Sequence, residues 1–256
     1  MLELRNLCMH FENAKHATLK NINLQIQEGS FTCIVGASGC GKSTLLNLIA
    51  GLTLPSSGSI LLDGQPISGP GRDRVMMFQE SALFPWLTVL ENVCFGMDIN
   101  GMPKAKQLEI AEHYLSMVHL SRFKDYRVHE LSGGMKQRAA LARALCMDSK
   151  ILLMDEPFSA LDKQTTNLLR EELAQIWQQT KKTIILITHS VEEAVFFADR
   201  VLFLSEETAN IAGEYVIDLP RPRHIESPEF IRYRQDILHQ VRNEVEKIEH
   251  AEEMAG

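Results

Sequence analysis

The sequence lacks the features that mark several classes of protein. Its 256 residues contain no uncharged apolar run of the roughly 18 residues that suggest a membrane-spanning helix. The five cysteines are scattered and form no C-x-x-C pair, so the sequence predicts neither a zinc site nor a disulfide framework. The formal net charge is −7, which argues against a protein that coats nucleic acid. These absences fit a protein of a reducing, cytosolic compartment.

The beginning of the chain and its composition are also ordinary. Residues Met1 to Arg5 carry an acid and have no apolar core, so we expect no signal peptide. Hydrophobic residues make up 45% of the chain and charged residues 23%, as in a globular protein of one large or two small domains. The informative features are therefore local motifs.

A glycine-rich loop is the most informative of these motifs. It lies between a predicted buried strand, Phe31–Val35, and a predicted helix that begins near Gly41. The loop consists of Gly36, Ala37, Ser38, Gly39, Cys40, Gly41, Lys42, Ser43 and Thr44, in the pattern G-x-x-x-x-G-K-[ST]. Its N–H groups and the helix start favour phosphate, Lys42 adds a positive charge, and Ser43 adds a hydroxyl for Mg²⁺. The alternative, a surface turn with an exposed lysine, does not explain the flanking strand and helix.

Two adjacent acids end another predicted buried strand, at residues 151–155. Asp155 is suited to hold Mg²⁺, directly or through water, and Glu156 is suited to polarise an attacking water molecule. The alternative is a solvated pair of acids in a strand–helix loop. The apolar strand before the acids and the phosphate loop upstream favour the catalytic interpretation.

Two further polar residues follow predicted strands. Gln79 ends the strand that starts at Arg74, and its neutral oxygen can reach a metal or a water molecule. His189 ends the strand that starts at Thr183, and it can donate to a γ-phosphate. Taken singly, Gln79 is more typical of a loop and His189 of a structural role. Strands alternate with helices along the chain, which predicts a parallel sheet with ligand sites at the carboxyl ends of its strands.

Two other motifs admit more than one interpretation. Phe11 is an aromatic residue in a polar stretch, and it either stacks on an adenine ring or joins the edge of the core. Ser132 is a predicted N-cap for a helix over Met135–Cys146. Gly133 and Gly134 leave N–H groups open to an anion at that helix start, or else form a flexible cap.

Together, these motifs resemble the ATP-binding subunit of ABC transporters over about residues 1–220. The resemblance implies an α/β P-loop NTPase fold, with a RecA-like parallel sheet core and an antiparallel β subdomain. It also implies a helical signature subdomain at about 89–148. Residues 221–256 are predicted to form a linker and a C-terminal helix, which the charged sequence from Pro228 to Ile248 indicates.

The resemblance also implies roles for individual residues, with ATP and Mg²⁺ as cofactors. The nucleotide contacts would come from Phe11, the loop Gly36–Thr44, Ser132, Gly133, Gly134 and Gln137. The metal ligands would be Ser43, Gln79 and Asp155. Glu156 would be the catalytic base, assisted by Lys42, Gln79 and His189, and Ser159–Asp162 resembles the D-loop.

Partners follow from the same resemblance. It implies a head-to-tail homodimer with two ATP molecules, in which Ser132 and Gly134 act on the partner's nucleotide. A separate membrane permease would contact residues 80–92, which include the apolar Phe84-Pro85-Trp86, and a solute-binding protein would act indirectly. The expected location is peripheral, on the cytoplasmic face of the inner (plasma) membrane. No nucleic-acid partner is expected.

Within the family, three segments are similar to importers of nitrate, taurine, aliphatic sulfonates and bicarbonate. They are Gly71–Arg74, Phe78–Glu80 and Leu83–Thr88, with Phe84 where leucine is common. The alternatives are an exporter subunit and a soluble ABC-type ATPase acting on ribosomes or DNA. A kinase or GTPase sharing only the phosphate loop would have no use for Ser132–Gly134 or Glu156. Because an ATPase subunit does not touch the cargo, the sequence does not name the solute.

Overall fold

The computed structural model describes residues 1–12, 16–159 and 161–255, and it describes side chains as far as residue 242. Ala160, which falls in the predicted D-loop, lies outside the described residues. The chain forms two compact units. The first unit contains residues 1–71 and 183–256, and the second contains residues 72–182.

The first unit contains an antiparallel sheet of four strands. The strands are β1 (Leu2–Met9), β2 (Leu19–Ile26), β4 (Ser57–Leu62) and β5 (Gln65–Pro66), in the order β2-β1-β4-β5. The short apolar runs Leu19–Ile22 and Leu24–Ile26 predict two strands, but a single strand, β2, spans both. Asn23 is exposed between the buried Ile22 and Leu24, and both of these residues pair with β1, with a register shift between their partners Leu7 and Leu4.

The first unit also contains parallel strands that carry the glycine-rich loop. Strand β3 (Phe31–Val35) pairs in parallel with β8 (Thr183–Ile187) and with β9 (Arg200–Leu204). Strand β10 (Ile211–Val216) pairs antiparallel with β9. Every residue of β3 and β8 is buried, as expected for the apolar runs that predicted them. Strand β10 was not predicted, because its residues are only half-buried or exposed.

Three helices complete the part of the first unit that the structure describes. Helix α1 (Lys42–Ala50) follows β3, and α6 (Val191–Phe197) follows β8. The C-terminal helix α7 (Pro228–Ala255) packs on α6 and buries Phe230 and Ile237. The predicted helix ended at Ile248, seven residues before the observed end at Ala255.

The second unit joins two parallel strands to helices. Strand β6 (Arg74–Met77) pairs with β7 (Ile151–Asp155), and α5 (Lys163–Thr180) follows β7. Helices α2 (Val89–Ile99), α3 (Lys104–Met117) and α4 (Gly133–Leu145) pack against one another. Two short 3₁₀ turns, Ser121–Phe123 and Val128–Glu130, lie between α3 and α4.

Two helix boundaries in this unit differ from the prediction. Apolar residues at 3–4 spacing predict a helix over Lys104–Leu120, but α3 ends at Met117, and His119 adopts a left-handed backbone with φ of 55°. The helix predicted from Met135 starts at Gly133, because the Ser132 hydroxyl accepts a hydrogen bond from the Met135 N–H at 3.3 Å. Within the described part of the chain, no helix has the length and apolar character needed to cross a membrane.

Candidate active site

The glycine-rich loop leads from the end of β3 into the start of α1. Gly41, the N-cap of α1, has φ of 99°, a left-handed conformation that favours glycine. A Cβ atom on Gly36 would lie 2.4 Å from the Leu204 carbonyl oxygen, so only glycine fits at this position. Gly41 has no side chain to cap the helix, and the first turn of α1 contains no acid. The first N–H groups of α1 are therefore suited to an anion.

Lys42 holds its charge inside this loop. Its side chain is only 8% exposed, and its Nζ donates to the carbonyl oxygens of Gly36 at 3.0 Å and Ala37 at 2.6 Å. Such charge-assisted bonds hold the ammonium in place. The remaining loop residues differ in exposure: Ser38, Gly39 and Ser43 are exposed, Ala37 and Thr44 are half-buried, and Cys40 is buried. The loop thus combines a fixed cation with an accessible serine hydroxyl.

A cavity of about 940 Å³ lies beside the loop, within the first unit. Gly39 and Cys40 line it together with polar and charged residues that the sequence did not single out. These are His16, Thr18, Lys20, Asn21, Glu206, Glu207, Thr208 and Asn210, joined by Ala17 and Ala209. Phe11, the candidate stacking residue, is exposed over 44% of its surface.

His189 lies in the first unit, between β8 and α6. Its side chain is exposed, whereas Thr188 beside it is buried. The Thr188 N–H donates to the Ile34 carbonyl oxygen at 3.2 Å, which ties this loop to β3. The Ser190 hydroxyl caps α6 by accepting from the Glu193 N–H at 3.3 Å. Hydrogen bonds therefore fix the backbone on both sides of His189.

The paired acids lie in the second unit, at the end of β7. Asp155 and Glu156 are both half-buried. Glu156 has φ of 44°, a left-handed conformation that is uncommon for a residue with a side chain. Its carbonyl oxygen accepts from the Ser159 N–H at 3.3 Å and from the Ser159 hydroxyl at 3.0 Å. This turn holds the strained backbone, as is common where a side chain must be aimed for chemistry.

Gln79 and Gln137 are joined to the same turn. The Gln79 side-chain Nε2 donates to the Ser159 hydroxyl oxygen at 3.1 Å. The Gln137 Nε2 donates to the Gln79 carbonyl oxygen at 3.0 Å and to the Pro157 carbonyl oxygen at 2.7 Å. The sequence predicted Gln79 and Glu156 as site residues, but not the bonds that Ser159 and Gln137 make between them.

The start of α4 presents the glycine pair identified in the sequence. Ser132 and Gly133 are exposed, and Gly134 is buried. The N–H groups in the first turn of α4 lie at the positive end of the dipole of a 13-residue helix. This turn contains no acid that would repel an anion. This helix start is a second place suited to an anion.

Comparison with known proteins decides the family. A family model described as "ABC transporter" matches residues 19–159, more than half of the chain. The chain belongs to the ABC transporter family. The match begins at β2 and ends at Ser159, so it includes the glycine-rich loop, the start of α4 and the paired acids.

Two relatives of this ABC protein cover most of its length. The nitrate import ATP-binding protein NrtD of Synechocystis sp. is 50% identical over 228 residues, which are 86% of each chain. An uncharacterized ABC transporter ATP-binding protein of Methanocaldococcus jannaschii is 49% identical over 248 residues, 96% of this chain and 93% of the relative.

A solved structure is also similar. It is a dimeric ATP-binding cassette in a post-hydrolysis state with ADP and phosphate. It is 32% identical, with a TM-score of 0.76 over 86% of this chain and 100% of that one. The predicted P-loop NTPase fold is thereby confirmed. The prediction of an ABC ATPase is confirmed as well.

Proposed function

We propose that this ABC ATPase powers the uptake of a small solute through a separate membrane permease. The solute class is an anion such as nitrate, a sulfonate, taurine or bicarbonate. The observation that carries this proposal is the 50% identity, over 86% of both chains, to an ATP-binding protein named for nitrate import. We assign residues 1–220 to the ATPase domain, with a helical subdomain at about 89–148, and residues 221–256 to a linker and terminal helix.

The phosphates are assigned to the glycine-rich loop. The N–H groups of residues 36–44 and the Lys42 ammonium bind the triphosphate, and Phe11 stacks on the adenine ring. His189 donates a hydrogen bond to the γ-phosphate. The support for this assignment is the buried Lys42 charge, the uncapped start of α1 and the exposed Phe11 ring.

The metal and the base are assigned to oxygen-bearing side chains. Ser43 offers an exposed hydroxyl and Asp155 a half-buried carboxylate, and both are ligands that Mg²⁺ prefers. The Gln79 nitrogen donates to Ser159, so we assign its amide oxygen to the ion. Bound Mg²⁺ supplies positive charge against the charge that develops on the phosphate oxygens. Glu156 accepts the proton of the attacking water molecule.

The start of α4 is assigned to a second copy of the chain. Ser132, Gly133 and Gly134 would bind the nucleotide of the partner in a head-to-tail homodimer. Two observations support this: the exposed helix start, which is suited to an anion, and the dimeric state of the similar cassette.

We assign the contact with the permease to an aromatic surface of the second unit, formed by Phe84, Trp86 and Phe95. The Phe84 ring lies 4.2 Å from that of Phe95 and 5.5 Å from that of Trp86, measured between centroids. Arg143 lies over the Phe84 ring, and Arg127 donates to the Trp86 carbonyl oxygen. Trp86 is nevertheless 67% exposed, which marks an interaction surface. The chain would thus be peripheral on the cytoplasmic face of the inner membrane, and a solute-binding protein would act indirectly.

The ATPase chemistry is tested by Glu156→Gln, which removes the base and keeps the shape. The wild type should release phosphate from MgATP, and the variant should lose about a hundredfold or more in kcat. The variant should still bind MgATP and should dimerise on it, as measured by size-exclusion chromatography. Glu171→Gln is the matched control, because Glu171 is an exposed acid of α5. Full turnover by Glu156→Gln would remove Glu156 from the role of base.

The transport role is tested by a tagged pull-down from detergent-solubilised native membranes, with partners identified by mass spectrometry. Recovery of a multi-span permease together with a solute-binding protein would support the importer. The ligand of that binding protein could then be titrated with nitrate, taurine, an alkyl sulfonate and bicarbonate. Recovery of ribosomal or other soluble partners alone would contradict the importer and leave the ATPase activity in place.

A further inference from the structure

Gln137 is a buried residue of α4 that joins two separate segments of the second unit. Only 5% of its surface is exposed. Its Nε2 donates to the Gln79 carbonyl oxygen at 3.0 Å, just after β6 ends. The same nitrogen donates to the Pro157 carbonyl oxygen at 2.7 Å, in the turn after β7. One amide group therefore fixes the backbone beside both Gln79 and Glu156.

These bonds are part of a closed set, which we call the glutamine bridge: Gln79, Gln137, Glu156, Pro157 and Ser159. The Gln79 side chain donates to the Ser159 hydroxyl, and this hydroxyl donates to the Glu156 carbonyl oxygen at 3.0 Å. Pro157 follows Glu156 directly and accepts from Gln137, which closes the ring of contacts. Displacing any one of these residues should therefore shift the positions of the others.

Packing alone does not account for an amide at position 137. The Gln137 Oε1 atom is buried and has no hydrogen-bond partner among the described residues. An unpaired buried oxygen destabilises a fold, whereas an apolar side chain of the same length would not carry this penalty. The polar interactions of this amide are therefore those of its nitrogen, which donates to two backbone carbonyls.

We propose that Gln137 is a positioning residue for ATP hydrolysis. Its amide fixes the position of the Gln79 side chain relative to the Glu156 carboxylate, because it holds the two backbone segments that carry them. The inference rests on the proposed roles of Gln79 and Glu156. It replaces the nucleotide contact that the family resemblance implied for Gln137 with a role inside its own subunit.

The first test is Gln137→Met, which keeps the length of the side chain and removes the donor. We expect kcat to fall about tenfold to a hundredfold, because small misplacements of catalytic groups are costly, with the KM for ATP changed less than about twofold. Gln107→Met is the matched control. Gln107 is 3% exposed in the same unit and donates to the Asp98 carboxylate at 3.1 Å and the Met102 carbonyl oxygen at 2.6 Å. This variant should lower the unfolding temperature and leave kcat unchanged.

The second test asks whether Gln137 acts through Gln79. In a Gln79→Ala background, Gln137→Met should lower kcat by a smaller factor than in the wild type, because only the hold on the turn that carries Glu156 is then lost. Ser159→Ala provides an independent variant, since Ser159 is exposed and its loss should leave the fold intact. It should lower kcat without raising KM, and its effect should overlap with that of Gln137→Met.

Three results would overturn the inference. A raised KM with unchanged kcat in Gln137→Met would make Gln137 a nucleotide contact. Fully multiplicative effects of the Gln79 and Gln137 substitutions would leave Gln137 a merely structural role. An unchanged kcat in Ser159→Ala would show that the glutamine bridge has no effect on turnover. This result would count even if Gln137→Met failed to fold. Turnover by the wild type separates these results from failure of the proposed function, because a wild type without turnover would overturn both.

Discussion

The Thr188 hydroxyl donates a hydrogen bond of 2.6 Å to the Glu193 carboxylate, and both side chains are buried. This bond joins the end of β8 to the first turn of α6 and thereby spans His189. The Ser190 N–H also donates to the Thr188 hydroxyl oxygen, at 3.0 Å. A buried acid on a short helix thus fixes the loop that presents the candidate γ-phosphate donor.

Removal of this acid should affect both stability and turnover. Glu193→Ala leaves the Thr188 hydroxyl without its carboxylate, so we expect a loss of about 1–3 kcal/mol in the free energy of unfolding and a lower kcat. Glu193→Gln keeps an oxygen acceptor and should be milder. Urea denaturation and phosphate release measure the two effects.

The neighbouring acid provides the control. Glu192 forms a partly exposed ion pair with Arg234 at 3.5 Å, and such pairs contribute little to stability. Glu192→Ala should therefore change both measurements less than Glu193→Ala. Equal effects of the two substitutions would show that the bond to Thr188 has no special part in holding His189.

The features that could be predicted from the sequence are those coded by local pattern. The glycine-rich loop has a fixed spacing, and its flanking strand is a fully buried apolar run, so neighbouring residues suffice to identify both. The N-cap at Ser132 and the two acids at the end of β7 are predicted in the same way. Each of these signals lies within a few residues of the group it concerns.

The features that could not be predicted depend on contacts between distant residues. Gln137 and Gln79 are 58 positions apart, and only the tertiary structure shows that the side chain of one meets the backbone of the other. Glu193 resembles an exposed acid of a first turn until Thr188 is seen beside it. Strand β10 has no buried residue, so its pairing with β9 left no hydrophobic signal.

The segment after β10 gives a prediction about stability. The prolines of Pro220–Arg223 predict a linker, and within this segment Arg223 is buried. Its guanidinium donates to the carbonyl oxygens of Val195 at 2.6 Å, Ala198 at 2.7 Å and Ile217 at 3.1 Å. It thereby caps the last carbonyls of α6. Burial, with the Arg221 charge nearby, lowers the pKa of Arg223 to about 10, so the group remains charged at neutral pH.

Arg223→Met should leave these buried carbonyls unpaired and lower the free energy of unfolding by roughly 3 kcal/mol. Arg232→Met is the control, because Arg232 is an exposed residue of α7 and its loss should cost less than about 0.5 kcal/mol. Chemical denaturation in urea measures both. Similar midpoints for the two variants would mean that the carbonyls find other donors.

The buried thiol of the phosphate loop gives a prediction about pH. Burial raises the pKa of Cys40, and the Lys42 ammonium, 3.9 Å from its sulfur, only partly opposes this. A raised pKa means that less thiolate is present at neutral pH than for an ordinary exposed thiol. Because the thiolate is the nucleophile, alkylation of Cys40 should be slow at pH 7.

The rate should continue to rise at pH values where a free thiol has already reached its plateau. Iodoacetamide labelling between pH 7 and pH 10, followed by peptide mass spectrometry, measures this rate for each cysteine separately. Cys8 is half-buried and serves as the internal reference for access. Labelling of Cys40 at the rate of a free thiol at pH 7 would contradict the burial argument. It would also make the phosphate loop an oxidation-sensitive element, because a reactive thiolate would then lie between two glycines that shape the loop.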